Sequence, residues 1–135
     1  MSRSLFLLLA GIYGLVLTIE MVFTPELAIR NYGAPEINLY HVAFMQLLGV
    51  SAGALALMNF LNRNAPNSYT LRTLLLAQAL VLVGGVVLGI YHALVVDVPT
   101  NSIFIADSIF RLVLGLGFLY YYNREAQQAK TVSMA

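Results

Sequence analysis

Four apolar stretches, each long enough to cross a bilayer, are separated by connections of only a few polar residues. That pattern constrains the fold more than any other feature of the chain. A spanning helix needs about 20 apolar residues, and the stretches run over about Leu5–Thr24, Leu39–Leu61, Thr70–Val95 and Ile103–Tyr122. A lone segment in lipid must satisfy its own backbone hydrogen bonds, which leaves helices. Short connections make successive helices antiparallel, so the expected fold is all-α: an integral-membrane, up-down four-helix bundle filling one transmembrane domain over 1–135. Composition agrees. The chain is 60% hydrophobic and 10% charged, with a mean hydropathy of +0.82, whereas soluble domains are about 25% charged.

The breaks are local chemistry. Pro25 ends the first span because proline cannot continue the hydrogen-bond ladder. In the linker 25–38, Glu26–Tyr32 reads as a short interfacial helix, stopped by Gly33 with Pro35 beyond. Asn62–Tyr69 forms the second connection, with Arg63, Asn64, Pro66 and Asn67 as breakers, and Asp97, Pro99, Thr100 and Asn101 form the third. Residues 123–135 read as a polar, fraying tail. The apolar run after Arg3 continues too far for a signal peptide and lacks a small-x-small cleavage site, so it reads as a retained first helix.

Orientation follows from the basic residues. Arg3, Arg63, Arg72, Arg124 and Lys130 fall at the N-terminus, the second connection and the C-terminus; the opposite side has Arg30 with Glu26, Glu36 and Asp97. The positive-inside rule then puts both termini in the cytoplasm, with Tyr120–Tyr122 as an aromatic belt at that surface. A net charge of +1 with no basic run argues against nucleic-acid partners. The absence of cysteine excludes disulfides, thiolate metal sites and cysteine nucleophiles.

The functional signal is a set of polar residues inside the spans. Asp107 and Arg111 lie one turn apart in the last span, where charge is expensive and faces a protein interior or a water-filled cavity. At about 1.5 Å per residue, Glu20, Asp107, Arg111, Gln46 and His92 all fall within roughly 12 Å of the outer surface. Each shares a helical stripe with interior-marking residues: Tyr13, Glu20 and Thr24; Gln46, Gly49 and Gly53; Gln78, Gly85, Gly89 and His92; Asp107, Arg111 and Gly115. The expected site is an outward-opening polar pocket lined by Glu20, Gln46, His92, Asp107 and Arg111, with Tyr13 and Tyr91 at its apolar floor and wall. Asp107 and Arg111 admit two readings. One is an intrahelical ion pair; the other makes Arg111 an anchor for a polar head, with Glu20 supplying a surplus carboxylate that calls for a proton, solvent or a ligand.

His41 and His92 read first as interfacial histidines. A metal or bis-histidine haem site would need spacing and depth that the sequence does not offer. No nucleophile elbow, phosphate-cradling loop or Ser/Lys with a base is present, so nothing points to catalysis, to a metal or to a cofactor. Gly49-x-x-x-Gly53 and Gly85-x-x-x-Gly89 read as close helix contacts, either inside the bundle or toward a second copy or a partner subunit; Gly84, Gly115 and Gly117 also read as packing sites.

Thr24-Pro25-Glu26-Leu27, Asn31-Tyr32-Gly33 and Gln46-Leu47-Leu48-Gly49 resemble a group of small bacterial four-span membrane proteins known as a domain of unknown function. The resemblance implies a four-span bundle in a bacterial inner membrane and brings no activity. The functional expectation is a membrane protein that binds a small amphipathic molecule or a lipid. A proton-coupled transporter and a non-catalytic accessory subunit are the alternatives.

Overall fold

The structure, a computed structural model, describes residues 1–133. Its elements are α1 (Arg3–Phe23), α2 (Pro25–Asn31), α3 (Leu39–Asn62), α4 (Tyr69–Leu94) and α5 (Ser102–Ser133). The four long helices are each apolar and long enough to cross a membrane. Their outward sides carry large apolar groups such as Leu15, Val16, Leu47, Leu80, Val87 and Val113, which fits an integral membrane protein. One end of the bundle carries α2 and the α4–α5 connection (the α2 end); the other carries both termini (the terminal end).

Helix limits follow from caps. Ser2, Asn38 and Ser68 each accept a hydrogen bond from the backbone N–H three residues on, and Asn101 does the same for Phe104. Pro25 stops α1 and opens α2, where its missing N–H costs nothing. Helix α2 closes in a Schellman turn: Gly33 takes φ +86°, its N–H reaches Arg30 O at 2.9 Å and the Ala34 N–H reaches Ile29 O at 3.3 Å. That turn fixes the direction of Tyr32.

The helices pair as α1 with α3 and α4 with α5. Small residues set the first pair. A Cβ on Gly49 would sit 2.8 Å from Met21 Cβ and from Val22 Cγ2, and one on Gly53 would sit 3.0 Å from Thr18 Cγ2. The partner face contributes Gly11 under the Phe60 ring and Gly14 against Ala56. In the second pair a Cβ on Gly115 would sit 2.7 Å from Val83 Cγ2, and one on Gly89 would sit 3.0 Å from Phe104 Cζ. Gly84 and Gly85 differ from expectation: a Cβ there would meet nothing within 4 Å.

The two pairs join most tightly at the terminal end. Phe6, Leu7 and Ala10 of α1, Leu71, Leu75 and Ala79 of α4, and Leu114, Phe118 and Tyr121 of α5 form one buried cluster. Phe6 packs edge-on to Phe118 at 4.8 Å between centroids. Tyr121 therefore belongs to the core rather than to an aromatic belt, and its hydroxyl donates to Met1 O at 2.7 Å. The expected frayed tail is instead a continuation of α5 to Ser133. Glu125 holds it in place: it is buried and paired with Arg3 at 2.9 Å, its carbonyl accepts from Asn67, and Arg3 also donates to Ala65 O.

Because apolar burial gains little between helices in lipid, close backbone packing carries much of the association. Gly49→Val should therefore lower the detergent melting midpoint by an amount equivalent to about 1–3 kcal/mol of overpacking. Gly85→Val, in open space, should leave it near wild type. Equal effects at the two glycines would contradict the assigned helix faces.

Candidate functional site

Asp107 enters five residues into α5, about 7.5 Å along its axis, and both oxygens of its carboxylate accept hydrogen bonds. Oδ1 accepts from the Tyr13 hydroxyl of α1 at 2.5 Å. Oδ2 accepts from Arg111 Nε at 2.5 Å and from the Tyr32 hydroxyl at 3.0 Å. Arg111 Nη2 donates to the Tyr32 oxygen at 2.8 Å, closing the ring of contacts. Four residues from α1, the α2 turn and α5 thus form one compensated polar unit. Burial pushes the Tyr32 phenol up to about 12, with the Arg111 charge pulling against that rise and the Asp107 charge adding to it. Tyr32 consequently stays a proton donor to Asp107 across physiological pH.

The unit ties the two helix pairs together where the apolar core is absent. A second tie lies beside it: Asn101 Nδ2 donates to Asn31 O at 2.7 Å, and Gly33 lies close against Pro99 O.

Below the unit, between the pairs, lies a cavity of about 90 Å³ walled by all four spanning helices. Tyr13 and Arg111 line one part of it, Gln78 and Asn59 another, and Gly14, Ala52, Leu55 and Leu82 complete its apolar walls. Gln78 Nε2 donates to Leu55 O and to Asn59 Oδ1, both at 3.2 Å, and is the polar link between α3 and α4. Arg111 has five N–H donors, of which only Nε and one on Nη2 have acceptors among the described residues.

The residues expected at one pocket separate. Tyr13, Asp107 and Arg111 come together. Glu20 does not reach Arg111; its carboxylate accepts from Asn31 Nδ2 at 2.7 Å. The surplus negative charge expected beside Arg111 is therefore absent, and one carboxylate faces one guanidinium. Gln46 is exposed and donates to Val22 O. Tyr91 and His92 lie on the exposed side of α4 with their rings 5.8 Å apart. His41 lines a separate apolar groove of about 640 Å³ between the α2 turn and the start of α3, with Tyr32, Phe44 and Leu47. Among the described residues no three His, Asp or Glu side chains converge as metal ligands would.

Tyr32 is the member that sequence reading misses. It lies in a connection, and its only local sign is the Asn-Tyr-Gly run in which Gly33 stops α2 and turns the preceding residue inward. Gln78 and Asn59 form a polar pair as well, and their mutual bond depends on how closely α3 and α4 approach. The chain matches no family model, and no curated protein or solved structure matches it.

Breaking a buried ion pair by removing one partner strands the other charge and costs about 3–5 kcal/mol. Asp107→Asn and Arg111→Gln should each destabilise the protein strongly, and the double variant should lose less than their sum. A thermal or denaturant double-mutant cycle measures the coupling. Strict additivity would show that the two side chains do not act as a pair.

Proposed function

We propose that this protein binds a small amphipathic molecule within the membrane, the polar head meeting Arg111 in the cavity between the helix pairs. The observation that carries this reading is a cavity walled by all four spans and touched by a guanidinium with N–H groups to spare. A buried charge held only for stability would bury its donors. This one leaves part of them without acceptors among the described residues while lining the cavity, where a ligand acceptor would gain a charge-assisted hydrogen bond. Membrane lipid would be both the surrounding solvent and the source from which such a molecule arrives.

The setting we infer is a bacterial inner membrane with both termini in the cytoplasm. Support comes from Arg3, Arg63, Arg72, Arg124 and Lys130 at the terminal end against Glu26, Glu36 and Asp97 at the other. Proton-coupled transport finds less support, since Asp107 is held by three donors and Glu20 by Asn31. An accessory or dimeric role has one favourable feature. Gly49 and Gly53 are filled by the chain's own α1, but Gly84 and Gly85 leave backbone open on α4, where a second copy or a partner helix would approach closely.

Native mass spectrometry of gently solubilised protein tests the binding reading. Ala52→Phe fills the cavity from α3 while keeping all four residues of the Asp107 unit. A small molecule co-purifying with the wild type and lost from a folded Ala52→Phe is the expected result. No bound species in either protein, or equal retention in both, would reject the cavity as its site.

A further inference from the structure

Cavity size, charge balance and exit route together restrict what the ligand would be. Size comes first. An engineered protein cavity of about 150 Å³ accommodates benzene, and the space beside Arg111 is about 90 Å³. A ring-shaped head, such as a quinone or a sterol nucleus, is too large for it, and so is a glycerophosphate head. What fits is a group of a few heavy atoms.

Charge comes second. Arg111 is already neutralised by Asp107, whose Oδ2 lies 2.5 Å from Nε, and Glu20 is not paired with it, its carboxylate accepting from Asn31 Nδ2 instead. A ligand carboxylate or phosphate would bring an uncompensated negative charge into a low-dielectric space already holding Asp107, at a heavy desolvation cost. An uncharged head avoids that cost and still accepts from the free Arg111 N–H groups.

The amide pair opposite adds a further demand. Gln78 and Asn59 are 4% and 3% exposed. Their mutual bond uses Gln78 Nε2 and Asn59 Oδ1. Among the described residues, Gln78 Oε1 and Asn59 Nδ2 have no partner, although both residues line the cavity. A donor and an acceptor without hydrogen-bond partners thus belong to two residues that border the same space. A hydroxyl or a primary amide, which donates and accepts from adjacent atoms, satisfies both.

The exit route comes last. Leu55 and Gln78 belong to the cavity wall and also to an outward groove of about 390 Å³ between α3 and α4, lined further by Met58, Thr73, Leu74 and Ala77. The head space thus adjoins a largely apolar, outward-facing groove, with Gln78 at the boundary.

Resting on the reading of this cavity as a ligand site, we infer that the ligand is a single-chain amphiphile with a compact, uncharged head of the alcohol or primary-amide type. Its head sits among Arg111, Gln78 and Asn59, and its chain lies in the α3–α4 groove. Entry is sideways from the bilayer, past Gln78.

The full chain in nanodiscs, titrated with dodecanamide, dodecanol, dodecanoate at pH 8 and a decyl-substituted benzoquinone, tests this by equilibrium binding. Dodecanamide or dodecanol should bind about tenfold or more tightly than the carboxylate and the quinone, the equivalent of one satisfied buried polar group. Thr73→Trp blocks the groove from an exposed position and should weaken that binding by about tenfold; Ala52→Phe should abolish it. Preferential binding of the carboxylate or the quinone, lost in Ala52→Phe, would overturn the ligand class while leaving the cavity as a binding site. Binding indifferent to Thr73→Trp would overturn the exit route. No binding of any probe would overturn both the ligand class and the site.

Discussion

An aspartate and an arginine one turn apart in a membrane helix cannot be left to lipid. Each must find partners on neighbouring elements, and the rest of this fold is arranged so that they do. Tyr13 comes from the middle of α1, and Tyr32 comes from a turn whose direction is fixed by a left-handed glycine. Together they add three hydrogen bonds to the Asp107–Arg111 pair. The same four side chains do a second job. At the terminal end the helix pairs meet through an apolar core built on Phe6, Leu75 and Phe118; toward the α2 end that core is replaced by the polar unit and the Asn101–Asn31 contact.

Between these two ties the pairs stand apart, which makes the cavity. Gln78 still reaches α3 across it, and Gly14, Ala52, Leu55 and Leu82 leave its other walls apolar. The space is thus bounded by a core on one side and a charged unit on the other. Leu55 and Gln78, joined by a hydrogen bond, border both this space and the outward groove between α3 and α4. One set of residues ties the helix pairs and lines the cavity: the contacts that neutralise Arg111 leave three of its five N–H groups without an acceptor among the described residues.

Much of the fold was legible. Pro25, the Asn62–Tyr69 breakers and the Asp97–Asn101 run set the helix limits to within about two residues at every end except the last. That end failed because a polar helix outside the membrane carries no hydropathy signal; α5 continues because Glu125 is buried against Arg3, a contact 122 residues away in sequence. The glycine stripe of α3 was read correctly, since it packs along its length on α1. The stripe of α4 misled because helical phase tells which residues share a face, not how far a neighbouring helix lies from it. That is why His92 and Tyr91 stand outside the bundle and Gln78 inside. Of the site, Asp107, Arg111 and Tyr13 follow from helical phase and the cost of buried charge. Tyr32 depends on a turn folding back over the bundle, and Glu20 on an Asn31 eleven residues away.

The central claim is that the Asp107 unit holds the two helix pairs together at the α2 end. The chain contains no cysteine, so introduced pairs report without background. Spin labels at positions 26 and 98 span the two pairs at the α2 end; labels at 64 and 124 span the terminal end. Distances between labels should be narrow for both sites in the otherwise unchanged protein. In Asp107→Ala the first should lengthen and broaden while the second keeps its value. An unchanged distance at the α2 end, or equal broadening at both ends, would contradict the claim.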